Sequence, residues 1–284
     1  MKKILVGIDF SESSMNTLEH AISLANKFRS NLILLWIENK KSISHLELNK
    51  GDNIHDKVNE KFDSILNSAH INIAADRVTV QITKGESSDE IISFAKSENV
   101  DLLIVGTHGF HGFKRYLTGS NANKVIAGAP CPVITIRPNR DIGRELDVVV
   151  IPIDSGVDTR QKLPLATKIA RLYGAEVHIL GLHFSDINSI KKKVISYAEQ
   201  SKAYVLKNGI QKVVVHYVAS TDGARTILNY AVKVNAGLIA VMIEAELGGS
   251  AWSLQSQGKQ FVNQSPIPIL NIANKELIRT APKL

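Results

Sequence analysis

Three glycines and a serine are the residues in this sequence most suited to chemistry. In the stretch VGTHGFHGFKRYLTGSNANKVIAGAPCPVITIRP, Val105 to Pro138, they run Gly106, two residues, Gly109, nine residues, Gly119, Ser120. Without a Cβ, Gly106 and Gly109 can take positive φ and let backbone N–H groups close on an anion. Gly119 and Ser120 fall where a helical pattern, Asn121 to Ala129, begins. A helix N-terminus offers unpaired N–H groups and partial positive charge to a phosphate. The Ser120 hydroxyl can cap that helix or bind a phosphate oxygen. Set between a short apolar strand, Asp101 to Val105, and a helix, this spacing points to phosphate binding; the plainer alternative is a glycine-rich connecting turn. It is neither a P-loop, which ends in Gly-Lys-Ser/Thr, nor the tighter dinucleotide fingerprint.

Asp9 is the second candidate. It ends an apolar run that starts at Lys3. In an open parallel sheet, ligands sit beyond the carboxyl ends of the strands where the strand order reverses. The strands ending at Asp9 and Val105 would flank that crevice. Asp9 is equally suited to cap the following helix together with Ser11, and both roles stay open. His108 and His111 lie in the glycine stretch, but no third His or Cys completes a metal set. Lys114 and Arg115 are either phosphate partners or solvated charges. Cys131, between two prolines, reads as a buried, inert thiol. No Ser-His-Asp or Cys-His arrangement emerges, so no catalytic or metal-ligating residue is assigned.

Strands and helices must alternate to position these residues. Apolar runs at Lys3–Asp9, Asn31–Ile37, Asp101–Val105 and Val133–Ile136, and an alternating one at Arg77–Ile82, read as five strands. Ser11 to Ser14 supply caps for a helix whose face carries Leu18, Ala21, Ile22, Ala25 and Phe28. Residues 38–53 read as a loop leading into a helix that reaches about Ser68. Ser87 and Ser88 are expected to cap a helix bearing Ile91, Ile92, Phe94 and Ala95. Such alternation implies right-handed crossovers and a mainly parallel sheet with helices on both faces.

The second half repeats the plan. Strands are expected at Asp147–Asp154, Val177–Leu182, Lys212–Val218, Leu238–Ile243 and Ile267–Ile272. Helices are expected at Val157–Tyr173, Ile187–Lys207 and Asp222–Val234, the last capped by Asp222. Ala129-Pro130-Cys131-Pro132-Val133-Ile134 aligns without a gap on Ser265-Pro266-Ile267-Pro268-Ile269-Leu270. That register sets Met242 against Gly106, Ala245 against Gly109, Gln255 against Gly119 and Ser256 against Ser120. The second repeat keeps the frame and lacks all three glycines; Glu244 and Glu246 would repel phosphate there. Asp154 corresponds to Asp9 and reads as structural. The expected domains are residues 1–138 and 146–276, joined by a polar run.

Composition bounds the rest. The 284 residues have room for two domains of roughly 140 residues, and 44% hydrophobic with 21% charged residues is the mix of a soluble globular protein. The apolar runs are too short to span a bilayer, and MKKILVGIDF is a strand rather than a signal peptide. One cysteine allows no intramolecular disulfide and fits a reducing cytoplasm. The formal charge of +7, from 34 basic and 27 acidic residues, suits an anionic ligand or simply solvated faces. Lys191-Lys192-Lys193 reads as an exposed helix start; no zinc-finger spacing or aromatic RNA-binding motif is present, so no specific nucleic-acid binding is expected.

The glycine spacing, with Ala129-Pro130-Cys131-Pro132-Val133 leading into the last strand of the repeat, resembles the universal stress protein family; the two repeats together resemble a tandem member. The resemblance implies an α/β fold of two doubly wound, parallel, five-stranded sheets with Rossmann-like (adenine nucleotide alpha-hydrolase-like) topology, paired through their last strands into an intramolecular pseudo-dimer. It also implies an adenine nucleotide, ATP or ADP or AMP, with a divalent cation such as Mg2+, held by Asp9, the Ile37 backbone, Gly106, Gly109, Gly119 and Ser120. Phe110 and Asn121 depart from the family's usual residues. The implied role is a cytoplasmic, nucleotide-binding regulator of stress response. The alternatives are an interaction or scaffold module that binds no nucleotide, or a slow ATPase. Whether the chain also forms a homodimer stays open.

Overall fold

The structure is a computed structural model and describes residues 1–68, 72–106, 120–137, 146–242 and 265–272. The chain divides into two compact units, Met1–Asn139 and Arg140–Leu284.

In the first unit, β1 (Lys3–Ile8) leads into α1 (Glu12–Phe28), β2 (Asn31–Glu38), α2 (Lys40–Ile43) and α3 (Ile54–Leu66). Then follow β3 (Val78–Lys84), α4 (Ser87–Ser97), β4 (Leu102–Gly106), α5 (Ser120–Gly128) and β5 (Val133–Ile136). The strands lie in the order β3-β2-β1-β4-β5, all parallel. The order reverses between β1 and β4, where Val6 sits beside Ile104. Central strands covered on both faces are continuous apolar runs, so Ile4, Leu5 and Val6 of β1 and Leu102, Leu103 and Ile104 of β4 are fully buried.

Local chemistry sets the helix ends. Ser11 caps α1 by accepting from the Ser14 N–H, and Arg29 closes it in the left-handed region with φ 53°. The polar stretch after β2 resolves into two helices: Asn39 caps α2 through a reciprocal box with Ser42, and Asn53 caps α3. Ser87 and Ser88 do not cap α4. Its N-cap is Glu86, without a side-chain bond, and the Ser87 hydroxyl instead accepts from Asn39 Nδ2 at 3.1 Å.

The second unit holds β6 (Val148–Ile153), α6 (Leu163–Tyr173), β7 (Glu176–His183), α7 (Asn188–Lys207), β8 (Val213–Ala219), α8 (Gly223–Lys233), β9 (Leu238–Val241) and β10 (Ile269–Asn271). Its order, β8-β7-β6-β9-β10, is again all parallel and repeats that of the first unit. Asp222 caps α8 as the sequence implies. The expected helix from Val157 is corrected: Val157–Arg160 is a 3-10 turn, and α6 starts at Leu163. Pro164 lacks an N–H and is tolerated only in a first helical turn; in the interior of a longer helix it costs about 3 kcal/mol. No described helix is long and apolar enough to cross a membrane. Cys131 is buried.

Candidate functional site

The site is best built outward from Asp9, immediately after β1. Its Oδ1 accepts from the Ser11 N–H at 3.1 Å and the Ser11 hydroxyl at 2.5 Å. Its own N–H donates to Ser14 Oγ at 3.3 Å. This turn sends the chain from strand into α1. The second repeat supplies an internal control. Asp154 Oδ1 accepts from the Gly156 N–H at 2.8 Å, and the Asp154 N–H donates to Thr159 Oγ1 at 3.1 Å. The repeat without the glycines keeps the same turn, so Oδ1 of both aspartates works as a local cap.

What distinguishes the first repeat is Asp9 Oδ2. Lys41 Nζ of α2 lies 3.1 Å from it and His45 Nδ1 3.9 Å. His45 Nδ1 is also 2.8 Å from the Asp9 carbonyl, which can only accept, so Nδ1 carries the proton. Lys61 Nζ donates to the His45 carbonyl at 2.8 Å and stands 5.1 Å over the Phe10 ring. Phe10, at φ 61°, turns onto Phe62 of α3 with centroids 4.8 Å apart. Burial pushes the Asp9 carboxyl upward, but the Ser11 hydroxyl, the Lys41 charge, the Ser11 N–H and Ser14 together hold it at about 2. An ionised acceptor with Lys41 and His45 beside its Oδ2 therefore stands at the end of β1. Lys41, His45 and Lys61 escaped the sequence reading. Lys41 and His45 come from the polar stretch 38–53, which has no apolar periodicity, and Lys61 from the helix that follows it; Asn39, which caps α2, was the available signal.

Ile37 lies one residue before the end of β2. Its carbonyl accepts from the Ser42 hydroxyl at 2.6 Å and from Asn39 Nδ2 at 3.3 Å, so α2 already occupies the backbone acceptor expected to face a ligand.

Gly106 ends β4. Carrying the Val6↔Ile104 register two residues on places it beside Ile8. The expectation of positive φ is not met: Gly106 lies outside the left-handed region. Its glycine has a packing reason. A Cβ there would stand 2.9 Å from Thr17 Oγ1 and 3.2 Å from Ser13 Oγ, so α1 crosses β4 too closely for a side chain. Ser120 is the first residue of α5. Gly109, Gly119, His108, His111, Phe110, Lys114, Arg115 and the side chains of Ser120 and Asn121 lie outside the described residues. The same holds for Glu244, Ala245, Glu246, Gln255 and Ser256 of the second repeat. Among the described residues no cluster of His, Cys, Asp or Glu is arranged to hold a metal ion.

The second repeat differs most at Lys162, which aligns with Thr17 when Asp154 is set on Asp9. Only 2% of it is exposed. Its Nζ donates to the Thr159 carbonyl at 2.6 Å and lies 3.3 Å from Thr159 Oγ1. Burial drives the ammonium down to about 8, and the Asp154 charge offsets part of that. A lysine within an apolar run that includes Leu163 and Ala166 was the available sequence signal. Met242, at the position of Gly106, is buried.

With the geometry in hand, comparison with known proteins is informative. The family model described as the universal stress protein family matches residues 1–137. Universal stress protein YxiE of Bacillus subtilis is 30% identical over 145 residues, covering 48% of this chain and 98% of that protein. Universal stress protein A homolog 2 of Coxiella burnetii is 32% identical over 146 residues, covering 48% of this chain and 94% of its own length. A crystal structure of a universal stress protein from Archaeoglobus fulgidus superimposes with a TM-score of 0.71 at 23% identity, covering 95% of this chain and 98% of that one. At that identity the likeness establishes the fold alone.

Proposed function

The chain belongs to the universal stress protein family, and from that premise we propose that its first repeat binds an adenine nucleotide and acts as a regulatory switch in stress response. The observation that carries this reading is the start of α5. The run Gly106, Gly109, Gly119, Ser120 ends on the first residue of a helix, at the carboxyl end of β4, across the strand-order reversal from Asp9. The N-terminal N–H groups of α5 suit phosphate oxygens. Asp9 Oδ2 suits a donor such as the amine of an adenine ring, and Lys41 and Lys61 bring positive charge to that end. In this reading Asp9 and the Ile37 backbone hold the base, while Gly109, Gly119 and Ser120 hold the phosphates. A divalent cation would be carried by the phosphates, because no carboxylate cluster among the described residues would hold it.

Residues 1–138 form the nucleotide domain in this proposal, and residues 146–276 are a degenerate partner whose Met242 and Lys162 replace Gly106 and Thr17. The chain works in the cytoplasm. Any hydrolysis would be slow in this reading, and a slow ATPase stays the enzymatic alternative. Calorimetry with ATP and Mg2+ on the wild type and on Gly119→Val tests the assignment. Binding in the wild type alone supports it, and equal affinity in the variant refutes the loop assignment.

One observation favours a second reading, an interaction module that takes no nucleotide. The Ile37 carbonyl and Asp9 Oδ2 are both satisfied by α2. A protein that stays silent to every adenine nucleotide, and whose thermal midpoint ATP does not move, would establish it.

A further inference from the structure

The sheet of the second unit ends on β8, and β8 is built unlike its counterpart in the first unit. The strand reads Val-Val-Val-His-Tyr-Val-Ala, with no Lys, Arg, Asp, Glu or Pro. The matching edge strand β3 reads Val-Thr-Val-Gln-Ile-Thr-Lys. Three changes take threonine and lysine out of the edge: Thr79 becomes Val214, Thr83 becomes Val218 and Lys84 becomes Ala219, while Gln81 becomes His216 and Ile82 becomes Tyr217. Val214 remains 38% exposed and Tyr217 37%. Natural edge strands are normally blunted by charge, proline or bulges, because their unpaired N–H and C=O groups template another strand.

The hydrogen-bond phase shows which groups face outward. The Val177 N–H donates to the Lys212 carbonyl and the Ser220 N–H to the His183 carbonyl. In a parallel ladder this phase commits Val214, His216 and Val218 to β7. The N–H and C=O groups of Val213, Val215, Tyr217 and Ala219 are then aimed away from β7, at an edge that no other described strand pairs with.

We propose that β8 is a strand-pairing interface for a second copy of this chain, joined antiparallel across a two-fold axis at His216. Centring there sets Val213 against Ala219 and Val215 against Tyr217, both outward-facing pairs that exchange backbone hydrogen bonds. Val214 meets Val218, and His216 meets its own copy. The strand carries no Lys, Arg, Asp or Glu, so self-pairing brings no such charges opposite each other. Another protein's strand would gain no ion pair here. A two-fold pairing is also closed: each copy uses its β8 edge once, so the contact ends at a dimer. Seven residues bury little area, the class of weak, reversible contacts, and we take a dissociation constant on the order of micromolar as the range to test.

Sedimentation velocity of the full chain from about 1 to 200 µM, spanning that range, tests the proposal. His216→Lys places two ammonium groups opposite each other at the axis; because the exposed His216 ring stacks on Tyr230 of α8 with centroids 5.2 Å apart, the circular dichroism of this variant is compared with the wild type as well. Val215→Pro removes an outward N–H and is tolerated at an edge. The wild type should pass from monomer to dimer across the range. His216→Lys should weaken the dimer roughly tenfold or more, like charges directly opposite being unfavourable. Val215→Pro should be monomeric, with circular dichroism as in the wild type. If Val215→Pro does not fold, His216→Lys alone decides. A wild type that stays monomeric throughout, as it would if β8 served a different protein, overturns the proposal. So does a dimer that His216→Lys leaves unchanged.

Discussion

Replacing Lys162 with Met should make the protein more stable, and the gain should vanish at high pH. The ammonium is buried, its hydrogen-bond partner among the described residues is Thr159, and burial lowers it from the ordinary 10.5 to about 8. At about 1.4 kcal/mol per tenfold, the ionised side chain costs the folded state about 3 kcal/mol relative to water. The sign follows from linkage. Between about 8 and 10.5 the unfolded chain holds a proton that the folded one has released. The cost is therefore complete below about 8 and disappears as pH climbs to 10.5, so the wild type gains stability across that window. Methionine has similar volume and no charge to desolvate. It gives up a hydrogen bond worth about 1 kcal/mol, which leaves a net gain of about 2 kcal/mol at pH 7. Urea unfolding of both proteins from pH 7 to 10.5 would measure the difference directly, because other titrating groups cancel. A variant less stable than the wild type at pH 7, or a difference that does not shrink with pH, would refute the reasoning and make Lys162 a net contributor to the fold.

Asp9→Asn should cost about 2 kcal/mol at neutral pH, since the carboxyl lies near 2 rather than 3.8 in the folded chain. The contribution is full above 3.8 and fades as pH falls towards 2, so acid unfolding of the variant should lack that slope; equal acid profiles would deny Asp9 its role. Gly106→Ala should destabilise by about 1–3 kcal/mol without any ligand, through the contact with Thr17 Oγ1. Adding Thr17→Ala should recover much of that loss in a double-mutant cycle, and strict additivity would mean that crowding is not the cause. Lys41→Ala, removing a surface-exposed partner of Asp9, should change stability by less than about 1 kcal/mol in denaturant titration.

Topology was legible in the sequence because parallel strands buried on both faces are short apolar runs. Val133–Ile136 needed no adjustment, and the others moved by a residue or two. The duplication was legible because Pro130-Cys131-Pro132 and Pro266-Ile267-Pro268 align without a gap. The site was only half legible. Glycine spacing marked the stretch before α5, and the strand-end rule marked Asp9. Nothing local revealed that Lys41 and His45 reach Asp9, because that contact joins residues more than thirty apart across a loop of polar sequence. Nor could spacing tell why position 106 is glycine. A loop near an anion and a helix crossing a strand make the same demand for a missing Cβ, and at Gly106 the described neighbours are Ser13 and Thr17 of α1. The start of α6 was misjudged because apolar periodicity continues through Leu163 and Ala166, while the N–H missing at Pro164 sets where the helix can begin.

The most direct test of the central claim is the stoichiometry of ATP binding, with Mg2+, by isothermal calorimetry on the full chain. One nucleotide per chain is the expected result, since the first repeat has the glycines and the second has Met242, Ala245 and Gln255 in their place. Two per chain would mean that the second crevice binds despite those replacements, and none would remove nucleotide binding from the account.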